Sequence, residues 1–172
     1  MLSTGCAMVG ARAGERVLIL GATDALVAGE IGAITGLNGR TVVVDVGADA
    51  RERIEAAARK NGALVEFEWT PVTMLPFNAG DFDIVVINRE LVRHDGRNRI
   101  ACCEEALRVV KERGRVVVIE ALKRPGLFGL LPSRQPGLPA EEAKAALVTA
   151  GAKATRQLAE VDGVIYLEAL AQ

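Results

Sequence analysis

Residues 39–62 read GRTVVVDVGADARERIEAAARKNG. Val42 to Val46 is a short β-branched run, and runs of this size read as strands buried on both faces of a parallel sheet. Ala48 to Asn61 is Ala-rich with charges at helical spacing, with Asp49 as its N-cap and Gly62 as its C′ residue. This strand-then-helix unit recurs along the chain. Val17 to Leu20, Leu64 to Phe67, Ile84 to Ile87 and Val116 to Ile119 are further apolar runs bounded by Gly, Asp or Asn. Arg99 to Arg113 spaces Ile100, Cys103, Leu107 and Val110 for one helix face, with Gly114 as the stop. Ala140 to Ala150 reads as a helix ended by Gly151. Ala154 to Glu160 and Val164 to Leu170 flank Asp162-Gly163, a hairpin signal. The alternation predicts an α/β fold: a doubly wound, mostly parallel sheet closed by a C-terminal antiparallel hairpin.

The 172 residues are half hydrophobic and one quarter charged, which fits one globular domain over residues 1–172. Residues 1–14 form an N-terminal extension. Residues 124–139 form a loop that holds four of the six prolines. The 21 basic and 22 acidic residues nearly cancel and aromatics are 3%, so the chain lacks the basic surface and stacking rings of a nucleic-acid binder. No apolar run reaches membrane-spanning length, and the first residues lack the basic and apolar regions of a signal peptide. Cys6, Cys102 and Cys103 are odd in number and form no CxxC, a pattern of a reducing, cytoplasmic compartment without a metal framework. His94 is the only histidine, so no metal is expected.

Ligands of open α/β sheets bind beyond the carboxyl ends of the strands. Gly21-Ala22-Thr23-Asp24-Ala25 follows the first run, Asp45 closes the second and Asn88 follows the fourth. A carboxylate at the end of the second strand can take both hydroxyls of a ribose. Dinucleotide loops open with a similar VLILGAT phrase, but they need further glycines. Asp24 stands at the next glycine position, where its charge would repel a pyrophosphate. No Tyr-x-x-x-Lys pair exists, since Tyr166 is the only tyrosine. A nicotinamide dehydrogenase is therefore rejected.

The phrases ERVLILG, GRTVVVDVGADARERIEAAARKNG, LPFNAGDFDIVVIN, EEALRVVKERGRVVVIEA and AGAKATRQLAEVDGVIYLEAL stand in order from Glu15 to near Ala169. Together they resemble the class I S-adenosylmethionine-dependent methyltransferases. The resemblance implies a seven-stranded sheet with the last strand antiparallel, and S-adenosylmethionine as cofactor. It implies cofactor contacts at Gly21, Ala22, Asp45, Val46, Val72 and Asn88, with Asp45 on the ribose. The departures fall in the same places. Ile19 replaces an acidic residue that would position the cofactor's ammonium end. Thr23 and Ala25 replace glycines of a GxGxG loop, and Asp24 adds a charge. Pro71 stands where an acidic residue would meet the adenine amine, and Glu112-Arg113-Gly114 replaces a PGG turn. Residues 1–14 supply little of the N-terminal cover that closes over the cofactor in many relatives.

Several residues carry two readings. His94 is a general base or part of a solvated loop with Arg93, Asp95 and Arg97. Asn88 faces the cofactor or caps its turn. Asp24 is a helix N-cap or a partner for a ligand's cation. Cys102 and Cys103 are core. The apolar Leu127, Phe128, Leu130 and Leu131, flanked by Lys123, Arg124 and Arg134, fold back as a lid, enter a protein partner or touch a membrane surface. The departures favour a degenerate S-adenosylmethionine site, weakened or lost, in a non-catalytic structural or assembly subunit of a larger complex. That subunit is placed in the cytoplasm, with peripheral membrane contact open. The alternative is an active methyltransferase on an unidentified acceptor, its catalytic residues unassigned.

Overall fold

A computed structural model describes residues 2–123 and 137–171. Leu127, Phe128, Leu130 and Leu131, with most of the proline-rich loop, lie outside the described residues. Seven strands form one sheet in the order β3-β2-β1-β4-β5-β7-β6. They are β1 (Arg16–Leu20), β2 (Arg40–Val44), β3 (Glu66–Glu68), β4 (Phe82–Asn88), β5 (Val110–Ala121), β6 (Ala154–Val161) and β7 (Val164–Leu170). The pairs β3/β2, β2/β1, β1/β4 and β4/β5 are parallel, and only β7 runs against the rest. The helices are α1 (Thr4–Val9), α2 (Ala25–Thr35), α3 (Ala50–Asn61), α4 (Gly96–Val109) and α5 (Ala140–Thr149).

The unbroken apolar runs have a direct cause: each strand feeds two cores. Leu18, Leu20, Val85, Ile87, Val116 and Val118 pack with Cys102, Cys103, Ala106 and Leu147 of α4 and α5. Their neighbours Val17, Ile19, Ile84, Val86 and Val117 pack with Cys6, Val9, Val27, Ile31 and Ile54 of α1, α2 and α3. Side chains alternate across a strand, so a sheet covered on both faces needs apolar residues at consecutive positions. Ile19 is fully buried in the second layer, which gives the missing strand-end carboxylate a packing explanation.

Several predicted boundaries shift. α4 ends at Val109 instead of Arg113, because Val110 already pairs with Phe82 and opens β5. Gly114 thus lies inside a strand and stops no helix. Arg113 beside it takes φ 63°, a left-handed conformation that favours the glycine of a PGG turn. β2 ends at Val44, leaving Asp45 and Val46 in the loop, and β3 starts at Glu66, leaving Leu64 exposed. Asp24 and Asp49 stand before their helices but make no side-chain capping bond. Gly62 holds the left-handed C-cap geometry expected of it. Asp162 and Gly163 both take positive φ, 52° and 77°, as a two-residue hairpin turn requires. Within the N-terminal extension Ser3 caps α1, which buries Cys6 and Val9 in the same core layer as α2 and α3.

Helices α2 and α3 touch through glycine. A Cβ at Gly29 would stand 2.7 Å from the Ala57 carbonyl oxygen and 2.7 Å from Asn61 Nδ2. Helix propensity alone makes Gly29→Ala stabilising by about 1 kcal/mol. Overpacking against fixed backbone costs about 1–3 kcal/mol and has the opposite sign. Gly29→Ala is therefore expected to lower the urea midpoint, and a rise would show that the helices do not approach this closely.

Candidate functional site

The carboxyl ends of β1, β2 and β4 converge on one carboxylate. Asp45 is 3% exposed. Its Oδ2 accepts the Ala22 amide at 2.7 Å and its Oδ1 accepts the Gly47 amide at 2.6 Å. Arg93 Nη1 donates to the same Oδ2 at 3.2 Å. Burial alone would raise the Asp45 carboxyl, but the two amides and the Arg93 charge outweigh it and hold it below the ordinary value. Asp45 is therefore ionised, and it ties the loop after β1 to the end of β2.

Arg93 is exposed along part of its side chain, as are Asp95 and Arg97, but its guanidinium turns back onto the strand ends. It ends the short 3-10 turn Leu91–Arg93 after β4, and its Nη1 also donates to Glu90 Oε2 at 2.9 Å. The other Glu90 oxygen, Oε1, meets His94 Nε2 at 3.0 Å. Burial is the largest influence on Glu90 and leaves its carboxyl raised, although Arg93 and His94 pull it down. Glu90 stands over the loop after β1: a Cβ at Gly21 would lie 2.8 Å from Glu90 Oε2 and 2.7 Å from the Asn88 carbonyl oxygen. Gly21 takes φ 95°, so both space and backbone demand glycine there. The result is a hydrogen-bonded chain, Asp45–Arg93–Glu90–His94, laid across the carboxyl edge of β1.

The predicted site residues divide into two groups. Gly21, Ala22, Asp45 and Asn88 are brought together. Asn88 Nδ2 donates to the Gly21 carbonyl at 3.3 Å and to the Asp24 carbonyl at 3.0 Å, bracing the loop instead of capping its own turn. Its Oδ1 is buried with no hydrogen-bond partner. Val46 is exposed beside the cluster, whereas Val72 is buried among the core residues of the α4 and α5 layer. Pro71 carries a turn, its carbonyl accepting the Met74 amide at 3.1 Å. Glu66 at the start of β3 pairs with Arg40 at 2.7 Å. His94 belongs to the hydrogen-bonded chain, and Asp95 caps α4 by accepting the Asn98 amide at 2.9 Å. Sequence reasoning missed Glu90 as a member of the site. The one available signal was its place two residues beyond Asn88, at the carboxyl end of a central strand. Among the described residues no cluster of three or more His, Cys, Asp or Glu is placed to hold a metal ion, and no helix is long and apolar enough to cross a membrane.

A family model described as a methyltransferase domain matches residues 17–114, more than half of the chain. The chain belongs to the methyltransferase-domain family. No curated protein sequence matches it. Solved structures share this methyltransferase fold at low identity. A SAM-dependent methyltransferase from Aquifex aeolicus is 20% identical with a TM-score of 0.72, over 94% of this chain and 84% of that one. A SAM-dependent methyltransferase from Methanosarcina mazei is 18% identical with a TM-score of 0.66, over 91% and 92%. The [4+2]-cyclase SpnF is 20% identical with a TM-score of 0.69, over 90% of this chain and 57% of that one. The match to residues 17–114 takes in β1 from Val17, β2, β4 and the whole Asp45–Arg93–Glu90–His94 chain.

The methyltransferase domain carries a further buried acid at the end of β5. Glu120 is fully buried; its Oε2 accepts the Val92 amide at 3.2 Å and its Oε1 the Ala121 amide at 3.0 Å. Burial pushes its carboxyl up to about 7, against the pull of those amides, the Leu91 amide and the Arg89 charge. A glutamate in an unfolded chain titrates near ~4.3. Between those two values the folded chain holds a proton that the unfolded chain has released, so stability falls as pH rises through the window. Glu120→Gln is expected to flatten the pH dependence of the urea midpoint between about pH 4.5 and 7. An unchanged slope would show that Glu120 titrates as an ordinary surface acid.

Proposed function

We propose that this methyltransferase domain is a non-catalytic structural or assembly subunit whose S-adenosylmethionine site is degenerate. The observation that carries the reading is the occupied carboxyl edge of β1. The ribose position, Asp45, is engaged by two backbone amides and by Arg93. The approach to Gly21 is filled by the Glu90 carboxylate. The loop beyond Gly21 adds side chains at Thr23, Asp24 and Ala25, and Ile19 is committed to the core. These residues do not fit the cofactor in the arrangement that the family resemblance implies.

An assembly role is supported by the surface around the same edge. Leu26 follows β1, Val46 follows β2, Trp69 follows β3 and Met74 lies in the next loop, and all four are exposed. Exposed apolar side chains gathered at one end of a domain suit contact with a protein partner. The three cysteines are free and buried, in keeping with a cytoplasmic setting. The fold does not dictate methyl transfer, since a [4+2]-cyclase shares it.

One observation favours the active enzyme instead. Asp45 is buried, ionised and at the strand end where a ribose acceptor belongs. Methyl transfer depends mainly on holding two reactants in line, so the lack of an assigned base does not count against it. Calorimetric titration with S-adenosylmethionine and S-adenosylhomocysteine separates the readings. The expected result is no binding at millimolar ligand and no thermal stabilisation, whereas a ligand at 100 times its Kd would add about 2.7 kcal/mol. Micromolar binding abolished by Asp45→Ala would establish the enzyme.

A further inference from the structure

Asp45 has more acceptor capacity than its backbone partners use. An ionised carboxylate offers about four acceptor positions, two on each oxygen. The Gly47 amide takes one on Oδ1 and the Ala22 amide takes one on Oδ2. A vicinal diol needs one position on each oxygen. Arg93 Nη1 takes the second position on Oδ2, so only Oδ1 keeps a free one. The amides are fixed by the turns that carry them. Arg93 is different: its side chain is 40% exposed, against 2% for that of Asp45. Its bond to Asp45, at 3.2 Å, is longer than its bond to Glu90, at 2.9 Å. Glu90 is in turn held by His94 at 3.0 Å. The guanidinium is thus anchored on Glu90 and reaches across to Asp45, and rotation of an exposed side chain is enough to withdraw it.

We infer that Arg93 is a displaceable internal ligand of Asp45, an autoinhibitory latch that competes with the vicinal diol of a nucleoside for the same carboxylate. This inference rests on the reading of the edge as closed, and it names the residue that closes it. The backbone part of the site remains formed beneath the latch. The Ala22 and Gly47 amides keep Asp45 aimed, so withdrawal of one side chain restores an acceptor on each oxygen. Glu90, held also by His94, lies buried beside Gly21, so a ligand that must pass Gly21 meets a second obstacle that a nucleoside on Asp45 does not.

The test uses adenosine, with 2′-deoxyadenosine as the probe that lacks the vicinal diol. Both are titrated calorimetrically into the full chain, into Arg93→Ala and into Arg93→Ala combined with Asp45→Asn. Adenosine is expected to bind Arg93→Ala at least tenfold more tightly than the original chain. The deoxynucleoside should show no such gain, and Asp45→Asn should remove it. Equal, weak binding by the original chain and Arg93→Ala overturns the latch but leaves the closed-edge reading standing. Micromolar S-adenosylmethionine binding by the original chain overturns the closed-edge reading itself. A gain shared by 2′-deoxyadenosine overturns the competition for Asp45. Thermal melts check folding, and Arg93→Gln, which keeps the stem, replaces Arg93→Ala if the latter does not fold. Failure of both to fold makes Arg93 an essential brace and also overturns the latch.

Discussion

The hydrogen bond from the Ala22 amide to Asp45 joins the two strand ends on which the rest of the site is assembled. β1 lies at the centre of the sheet, between β2 and β4, and its loop must turn sharply to launch α2. The Gly21 amide donates to the Val44 carbonyl at 2.9 Å, and the Ala22 amide donates to Asp45 at 2.7 Å. Together they carry the β1/β2 ladder past the last strand residues and into the loop. Buried amides need partners, and a buried carboxylate needs several donors to stay ionised. Each requirement answers the other. From the opposite side, Asn88 of β4 donates to the Gly21 and Asp24 carbonyls, so three strand ends are locked into one unit.

Upon that unit lies a hydrogen-bonded layer centred on Arg93. Two buried carboxylates, Asp45 and Glu90, share one guanidinium. Leaving two such charges unpaired in a low-dielectric edge would be costly, and Arg93 meets both at once. Its partial exposure weakens the net gain, since water screens a half-exposed pair. The same compromise is what the proposed latch relies on. A fully buried Arg93 would be a permanent brace, and a fully exposed one would not compete for Asp45.

The sheet was largely legible in the sequence because its physical signal is local. Val17 to Leu20, Ile84 to Ile87 and Val116 to Ile119 each fall inside the strands that form, because strands buried on both faces must be apolar at every position. Asp162-Gly163 announced its hairpin, since both residues tolerate positive φ. Boundaries were less legible where two rules compete. Val110 continues a helical spacing with Leu107, yet pairing with Phe82 claims it for β5. α1 escaped notice because six residues with an internal glycine carry little helical pattern; it is held by burial of Cys6 and Val9 and by Ser3, whose amide donates to Glu30 of α2.

Sequence alone determined the order of the strands and of helices α3, α4 and α5, the glycine at position 21 and a carboxylate at the end of the second strand. Each of these follows from the residue's own chemistry or from near neighbours in the chain. Tertiary structure decided what that carboxylate does. Asp45 and Arg93 are 48 residues apart, and nothing in the spacing shows that one guanidinium meets both Asp45 and Glu90. That meeting depends on β4 lying beside β1 and on a 3-10 turn that directs Arg93 back across the strand ends. Long-range electrostatics of this kind is written in the topology, where parallel strands bring distant loops to one edge.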